Sequence, residues 1–140
     1  MSAKYFLDTN VFVYSLDETV PAKARRARDL IGNGLDTGKG IVSFQVVQEF
    51  FNAALRQFSK PMSTFAAEEY LNTTFRPLLR VHTSPALYFS ALHVYSRYKF
   101  SWYDCLIVAA ALEAECSVLY TEDMQHGQKI EGLRIEDPFR

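Results

Sequence analysis

Two cysteines, six glycines and five prolines are few for 140 residues, and each scarcity excludes something. Cys105 and Cys116 form no Cys-x-x-Cys pair, and no Cys/His spacing matches a structural zinc site. Both cysteines lie in or just past the apolar run Cys105-Leu106-Ile107-Val108-Ala109-Ala110-Ala111-Leu112. Eleven positions apart on one expected helix, they read as buried thiols rather than a disulfide. No apolar run approaches the ~18 residues that a membrane span needs. The stretch from Met1 to Asp8 lacks the apolar core of a secretion signal. The net charge of −1 excludes a uniformly basic coat protein and an acidic solvating tail alike. Repeats, low-complexity tracts and linkers are missing too. The expectation is one domain over 1–140, soluble, without membrane contact, in a reducing, cytoplasmic compartment.

What is present is a core and an uneven charge. Hydrophobic residues make up 49% of the chain, enough to rule out disorder for most of it. Residues 1–103 hold 12 basic and 8 acidic side chains, whereas residues 104–140 hold 3 and 8. The near-neutral total therefore hides a positive first part and a negative second.

Periodicity predicts alternating short strands and helices. Tyr5-Phe6-Leu7 reads as a strand, and Asn10 as the cap of a short helix through Tyr14 and Leu16. Pro21 suits a first turn of a helix over Ala22 to Leu35, with Ala24, Ala27, Leu30 and Ile31 on one face and Gly38 and Gly40 ending it. Ile41-Val42 is a second strand. Ser43 then caps a helix bearing Val46, Val47, Phe50, Phe51, Ala54, Leu55 and Phe58, and Pro61 ends it. Ser63 or Thr64 opens the next helix, and Pro77 to Val81 reads as a strand. Ser84-Pro85 starts a helix over Ala86 to Tyr98 with Leu87, Ala91, Leu92 and Tyr95 inward. Ser101 caps the most apolar helix, Trp102 to Ala114. Val118-Leu119-Tyr120 is a strand, and Leu133, Ile135 and Phe139 belong to a final one. Strands separated by helices require crossovers, hence an α/β fold whose mainly parallel sheet has four to five short strands with helices on both faces. In such sheets functional groups gather beyond the carboxyl ends of the strands. Asp8, Ser43 and Thr121 each follow a strand directly.

Four acids stand where a solvated face is a poor explanation. Asp8 follows Tyr5-Phe6-Leu7, Glu49 lies between Val46-Val47 and Phe50-Phe51, Asp104 between Trp102-Tyr103 and Leu106-Ile107-Val108, and Asp123 close behind Val118-Leu119-Tyr120-Thr121. Carboxylates against apolar surface need a partner, and no Lys or Arg lies within four positions of Glu49 or Asp104. Converging carboxylates repel unless a divalent cation compensates. An oxygen-rich set without Cys or His suits Mg²⁺ or Mn²⁺. Plainer readings compete: Ser101-Trp102-Tyr103-Asp104 has the form of a capping box, Asp8 could be a turn residue, and Glu122-Asp123 an ordinary turn. Three acids or hydroxyls behind successive strands favour a site.

Four segments carry a family resemblance: Tyr5-Phe6-Leu7-Asp8-Thr9-Asn10-Val11, Ser43-Phe44-Gln45-Val46-Val47-Gln48-Glu49-Phe50-Phe51, Ser101-Trp102-Tyr103-Asp104-Cys105-Leu106-Ile107-Val108-Ala109-Ala110-Ala111 and Leu119-Tyr120-Thr121-Glu122-Asp123. In order and spacing they resemble the PIN-domain nucleases, and among them the VapC-type toxins of toxin–antitoxin pairs, over essentially the whole chain. The resemblance implies metal-dependent cleavage of single-stranded or loop RNA, a homodimer and a cognate antitoxin. It also implies that Asp8, Glu49, Asp104 and Asp123 are the catalytic acids and the ligands of Mg²⁺ or Mn²⁺, and that 5′-phosphate and 3′-hydroxyl products form. Many relatives carry a further acid shortly after the fourth position, whereas this chain reads Met124-Gln125-His126-Gly127 and lacks that acid there. Thr9, Asn10, Ser43 and Thr121 are hydroxyls and an amide placed to orient carboxylates or waters.

An acidic pocket repels RNA, so affinity must come from elsewhere. Lys23, Arg25, Arg26 and Arg28 put four cations in six positions, either as phosphate contacts or as a solubilising helix face. Trp102 or Tyr103 could stack a base or simply pack. The aromatic surface of Phe50, Phe51, Leu55 and Phe58 serves a core or a groove for an antitoxin peptide. Two other classes stay open. One is a non-catalytic binding module. The other is a phosphohydrolase with an aspartyl nucleophile, whose usual second Asp is here Asn10.

Overall fold

The computed structural model describes residues 3–140. Its centre is a six-stranded sheet in the order β3-β2-β1-β4-β6-β5, built from β1 (Tyr5–Leu7), β2 (Gly40–Ser43), β3 (Leu79–Val81), β4 (Val118–Tyr120), β5 (Lys129–Ile130) and β6 (Leu133–Glu136). All pairings are parallel except β5 with β6. The count exceeds the four to five strands expected because β5 is only two residues long, too short for periodicity to register. Phe139 lies beyond the last strand and rests its ring on Tyr14.

Among the described residues, seven α-helices fill the connections: α1 (Thr9–Ser15), α2 (Pro21–Thr37), α3 (Phe44–Arg56), α4 (Thr64–Tyr70), α5 (Arg76–Leu78), α6 (Pro85–Tyr98) and α7 (Trp102–Glu113), with a π-helical turn over Leu71–Phe75. Chain direction in the sheet reverses its progress after β3, and α6 and α7 form the crossover from β3 to β4. The switch in direction falls between β1 and β4, the position at which open α/β sheets form a crevice.

Local chemistry accounts for the ends. Pro21 occupies the first turn of α2, whose buried stripe is Ala24, Ala27, Leu30, Ile31 and Gly34, and Gly38 at φ 72° closes it. Gly34 and Gly40 are needed for another reason: a methyl on Gly40 would lie 2.8 Å from the Gly34 Cα, so α2 can meet β2 only without side chains there. Ser63, Ser84 and Ser101 each accept a backbone N–H from the first turn of their helix. The cap of α1 is Asp8, not Asn10: the Asp8 carboxylate accepts the Thr9 N–H at 2.7 Å, and Asn10 is already inside the helix. A carboxylate at a helix start is favoured by the local dipole as well as by the bond.

Other departures follow from helix rotation. On α6 the buried residues are Leu87, Ala91 and Val94, while Leu92 and Tyr95 point outward, 53% and 48% exposed. One 100° step separates Ala91 from Leu92, and an apolar side chain does not reveal which side of that step it takes. α3 ends at Arg56, before Phe58, and Pro77–Val81 is divided between α5 and β3. Cys105 and Cys116 are both free and buried, but Cys116 lies past the end of α7 rather than on it. Phe50 is fully buried and stacks on Tyr70 at 4.9 Å, with Phe75 at 5.2 Å, so the aromatic surface of α3 is largely covered by the chain itself.

Candidate active site

β1 is buried throughout, and its direction delivers Asp8 to the carboxyl edge of the sheet, where the Asp8 N–H still bonds to the Tyr120 carbonyl of β4. Asp8 is 5% exposed, and both of its oxygens are engaged: Oδ1 accepts from the Thr9 N–H at 2.7 Å and Oδ2 from the Thr121 hydroxyl at 2.8 Å. Burial pushes its carboxyl up to about 7. The bonds from Thr121 and Thr9 oppose that rise, and the charges of Glu49 and Asp123 add to it.

Thr121, fully buried at the end of β4, links the strands. Its hydroxyl donates to Asp8 and accepts from the Asp123 N–H at 3.1 Å. The Asn10 amide donates to Asp123 Oδ2 at 3.2 Å and to the Thr121 hydroxyl at 3.4 Å. From α3, Glu49 accepts the Thr9 hydroxyl at 2.7 Å. Glu49 is exposed, as is Asp123, so neither is pressed into apolar surface as its sequence neighbours suggested. The face of α3 turned to the core carries Val46, Phe50 and Ala54, and Glu49 lies beside it.

Asp104 enters from the first turn of α7. Its N–H bonds to the Ser101 hydroxyl at 3.2 Å, so the cap and a place in the cluster coexist. Desolvation raises its carboxyl, the Ser101 hydrogen bond lowers it, and the charges of Asp123 and Glu49 raise it further. Glu49 and Asp123 therefore each lie within electrostatic reach of both Asp8 and Asp104. Among the described residues the ion pairs are Lys23–Glu122 and Arg134–Glu136, and none of the four takes part in either.

Among the described residues no three Asp, Glu, His or Cys side chains are drawn into a ready ligand set for a metal ion. The carboxylates of Asp8, Glu49 and Asp123 accept instead from neutral hydroxyls and amides. The donor chemistry nonetheless fits a hard divalent cation. Every acid in the cluster offers oxygen. Nearby, Asn10 Oδ1 and Ser43 Oγ are buried without a hydrogen-bond partner. The Ser43 hydroxyl makes no bond to the start of α3, although the residue occupies the cap position.

The remaining sequence candidates divide. Trp102 is half-buried and stacks on Tyr88, with ring centroids 6.5 Å apart, while Tyr103 is 65% exposed next to Asp104. Lys23 pairs with Glu122 at 2.5 Å, Arg26 bonds to the Pro138 carbonyl at 3.2 Å, and Arg28 to the Ser15 carbonyl at 3.0 Å. Three of the four cations on α2 are thus engaged within the chain. His126 accepts the Asp137 N–H and ties a loop to the C-terminal segment.

Two participants escaped the sequence reading. Gln45, 5% exposed, donates to Glu49 Oε2 and to the Tyr103 carbonyl, both at 3.2 Å, and so joins α3 to the first turn of α7. A polar residue between Phe44 and Val46, four positions before Glu49, was the available signal. Glu122, in a segment that the sequence also reads as an ordinary turn, is the second. Burial raises its carboxyl, but hydrogen bonds from Lys23 and Tyr14 outweigh this and leave it below its ordinary value.

The chain is similar in fold to three solved structures. A toxin–antitoxin complex from Klebsiella pneumoniae gives a TM-score of 0.64 at 18% identity, covering 94% of this chain and 95% of that one. VapBC2 from Rickettsia felis, bound to a DNA fragment from its promoter, gives 0.62 at 17% identity over 94% and 96%. Mycobacterium tuberculosis VapC20, a toxin that cleaves the sarcin–ricin loop, gives 0.55 at 20% identity over 86% and 90%. No curated protein matches the chain in sequence. The family model of the PIN domain matches residues 5–129, which include Asp8, Glu49, Asp104 and Asp123, and the chain belongs to the PIN-domain family.

Proposed function

We propose that this chain, as one PIN domain over 1–140, is a Mg²⁺- or Mn²⁺-dependent endoribonuclease and the toxin of a cytoplasmic toxin–antitoxin pair. The observation that carries the reading is the joining of Asp8, Thr9, Asn10, Glu49, Thr121 and Asp123 by hydrogen bonds at the β1/β4 crevice, with Asp104 in electrostatic reach. The three solved structures, one of them of a toxin that cleaves the sarcin–ricin loop, support it at the level of fold.

Asp8 and Asp104 would hold the cation, with Glu49 and Asp123 bound directly or through water. A divalent cation supplies the charge that offsets these carboxylates and the Lewis acidity that activates water toward a phosphodiester. The protein's share is orientation. Thr9 and Thr121 fix both oxygens of Asp8, Thr9 and Gln45 fix Glu49, and Asn10 fixes Asp123. In-line attack by water would leave 5′-phosphate and 3′-hydroxyl ends. Tyr103 is exposed beside Asp104 and is placed to stack an unpaired base.

The decisive experiment incubates wild type, Asp8→Ala and Asp104→Asn with total RNA and Mg²⁺ and maps the ends. Wild type should cut at discrete sites with 5′-phosphates, and each variant should lose about 100-fold or more in rate. Equal cutting by folded Asp104→Asn would sink the assignment, and no cutting by any of them would leave a binding module.

For the antitoxin, the favoured seat is a groove of about 710 Å³ lined by Val13, Leu16, Phe58 and Met62 and edged by Asp17 and Glu18, suited to an amphipathic segment with a basic side. For the homodimer it is the exposed row Tyr88, Phe89, Leu92 and Tyr95 on α6. Leu16→Asp should escape neutralisation by the antitoxin yet still cut RNA. Light scattering should find two copies of the free toxin, and a monomer would refute the dimer.

A further inference from the structure

We infer that Lys23 is a positioning residue: through Glu122 and Tyr14 it holds the turn Thr121–Asp123, and with it two of the site's side chains, in place beside β1. The inference rests on the nuclease reading given above.

The turn needs an external hold. Thr121 still bonds through its N–H to the Glu136 carbonyl of β6 at 3.0 Å, and the next backbone tie to that strand is from Gly127 to Ile135 at 2.8 Å. Among the described residues, 122–126 donate no backbone hydrogen bond to another segment. What restrains the segment is side chains. Asp123 lies within reach of the like charges of Asp8 and Asp104. A 3.2 Å bond from Asn10 and its own N–H bond to Thr121 hold it there.

Glu122, next in the chain, is held at both oxygens. Lys23 Nζ donates to Oε2 at 2.5 Å, the Tyr14 hydroxyl donates to Oε1 at 2.7 Å, and Lys23 also donates to the Tyr14 hydroxyl at 3.3 Å. An isolated surface ion pair contributes little. This one is closed into a ring of three groups and walled by aromatics: the Lys23 ammonium lies 4.5 Å from the centroid of Tyr14 and 5.7 Å from that of Phe139, and those rings meet edge-on at 4.9 Å. The base is firm as well, because Lys23 precedes Ala24 and Ala27, both buried in the α2 contact. A cation that reads in the sequence as a phosphate contact or a solubilising charge is thereby tied to the residue before Asp123.

The test compares full-length Lys23→Met, Lys23→Arg and the swapped pair Lys23→Glu/Glu122→Lys with wild type. It measures amide hydrogen exchange over 121–126, Mn²⁺ affinity by calorimetry, and kcat and KM on a single-stranded RNA. Lys23→Met should speed exchange at Asp123, weaken Mn²⁺ binding and lower kcat, each by about tenfold, with KM and salt dependence within about twofold. Lys23→Arg should stay near wild type, and the swapped pair should recover much of the loss. Unchanged exchange and Mn²⁺ affinity in Lys23→Met would overturn the inference. A raised KM with a shallower salt slope at constant kcat would overturn it too, by making Lys23 a phosphate contact. If wild type neither binds Mn²⁺ nor cuts RNA, the nuclease reading fails, and the exchange rates alone then uphold or refute the clamp.

Discussion

Asp8 is the most constrained residue of the cluster, buried at a sheet edge, held by Thr9 and Thr121, and pushed up to about 7 from an ordinary 3.8. The folded metal-free protein therefore keeps a proton that the unfolded chain has already lost between those two values. Stability must fall as pH rises through that window, by up to about 1.4 kcal/mol per pH unit. Urea unfolding in EDTA should give a more stable wild type at pH 5.5 than at pH 8. Asp8→Asn, which cannot ionise, should flatten that slope, and an unchanged slope would show that Asp8 ionises freely. Mg²⁺ should restore stability at pH 8 and lose its effect below about pH 6, where the proton competes for the same oxygens.

At the scale of elements, the site exists because short pieces end in the right places. β1, β2 and β4 all terminate at one edge, and the starts of α1, α3 and α7 bring Asp8, Ser43 and Asp104 to it. This geometry depends on close approach behind the edge, where α2 crosses β2 through Gly34 and Gly40. Gly40→Ala should cost about 1–3 kcal/mol, because the obstacle to its methyl is backbone and cannot rotate away. A thermal shift of several degrees downward would be the signature, and an unchanged melting temperature would mean that α2 and β2 yield more easily than their contact implies. Most of the strands, the helices behind Pro21, Ser63, Ser84 and Ser101, and the place of Asp8 directly behind β1 were legible from periodicity and turn chemistry. The outward turn of Leu92 and Tyr95 and the exposure of Glu49 were not, because a helix pattern gives spacing but leaves its rotation to the neighbours it meets.

Over the whole molecule, the positive first part and the negative second are partly joined to each other. Lys23 meets Glu122, and Arg26 reaches the Pro138 carbonyl and lies 5.9 Å over the ring of Tyr120. Of the four cations on α2, Arg25 is exposed and makes no side-chain hydrogen bond or ion pair among the described residues. If α2 meets RNA, Arg25 should carry the contact. Arg25→Gln should then weaken binding uniformly across sequences and reduce the salt slope by about 1. An unaltered slope would move the phosphate track elsewhere, for example to Arg76, Arg80, Arg97 or Lys99.

The sequence by itself determined the α/β alternation, the four acids and their order, because apolar period, turn chemistry and misplaced charge are written locally. Only the tertiary structure decided which of those acids is buried, which cations are engaged, and that Gln45 and Glu122 belong beside the site. Those outcomes depend on contacts between residues as far apart as Lys23 and Glu122, or Gln45 and Tyr103. Burial and pairing are properties of the space between elements, and no local pattern encodes that space.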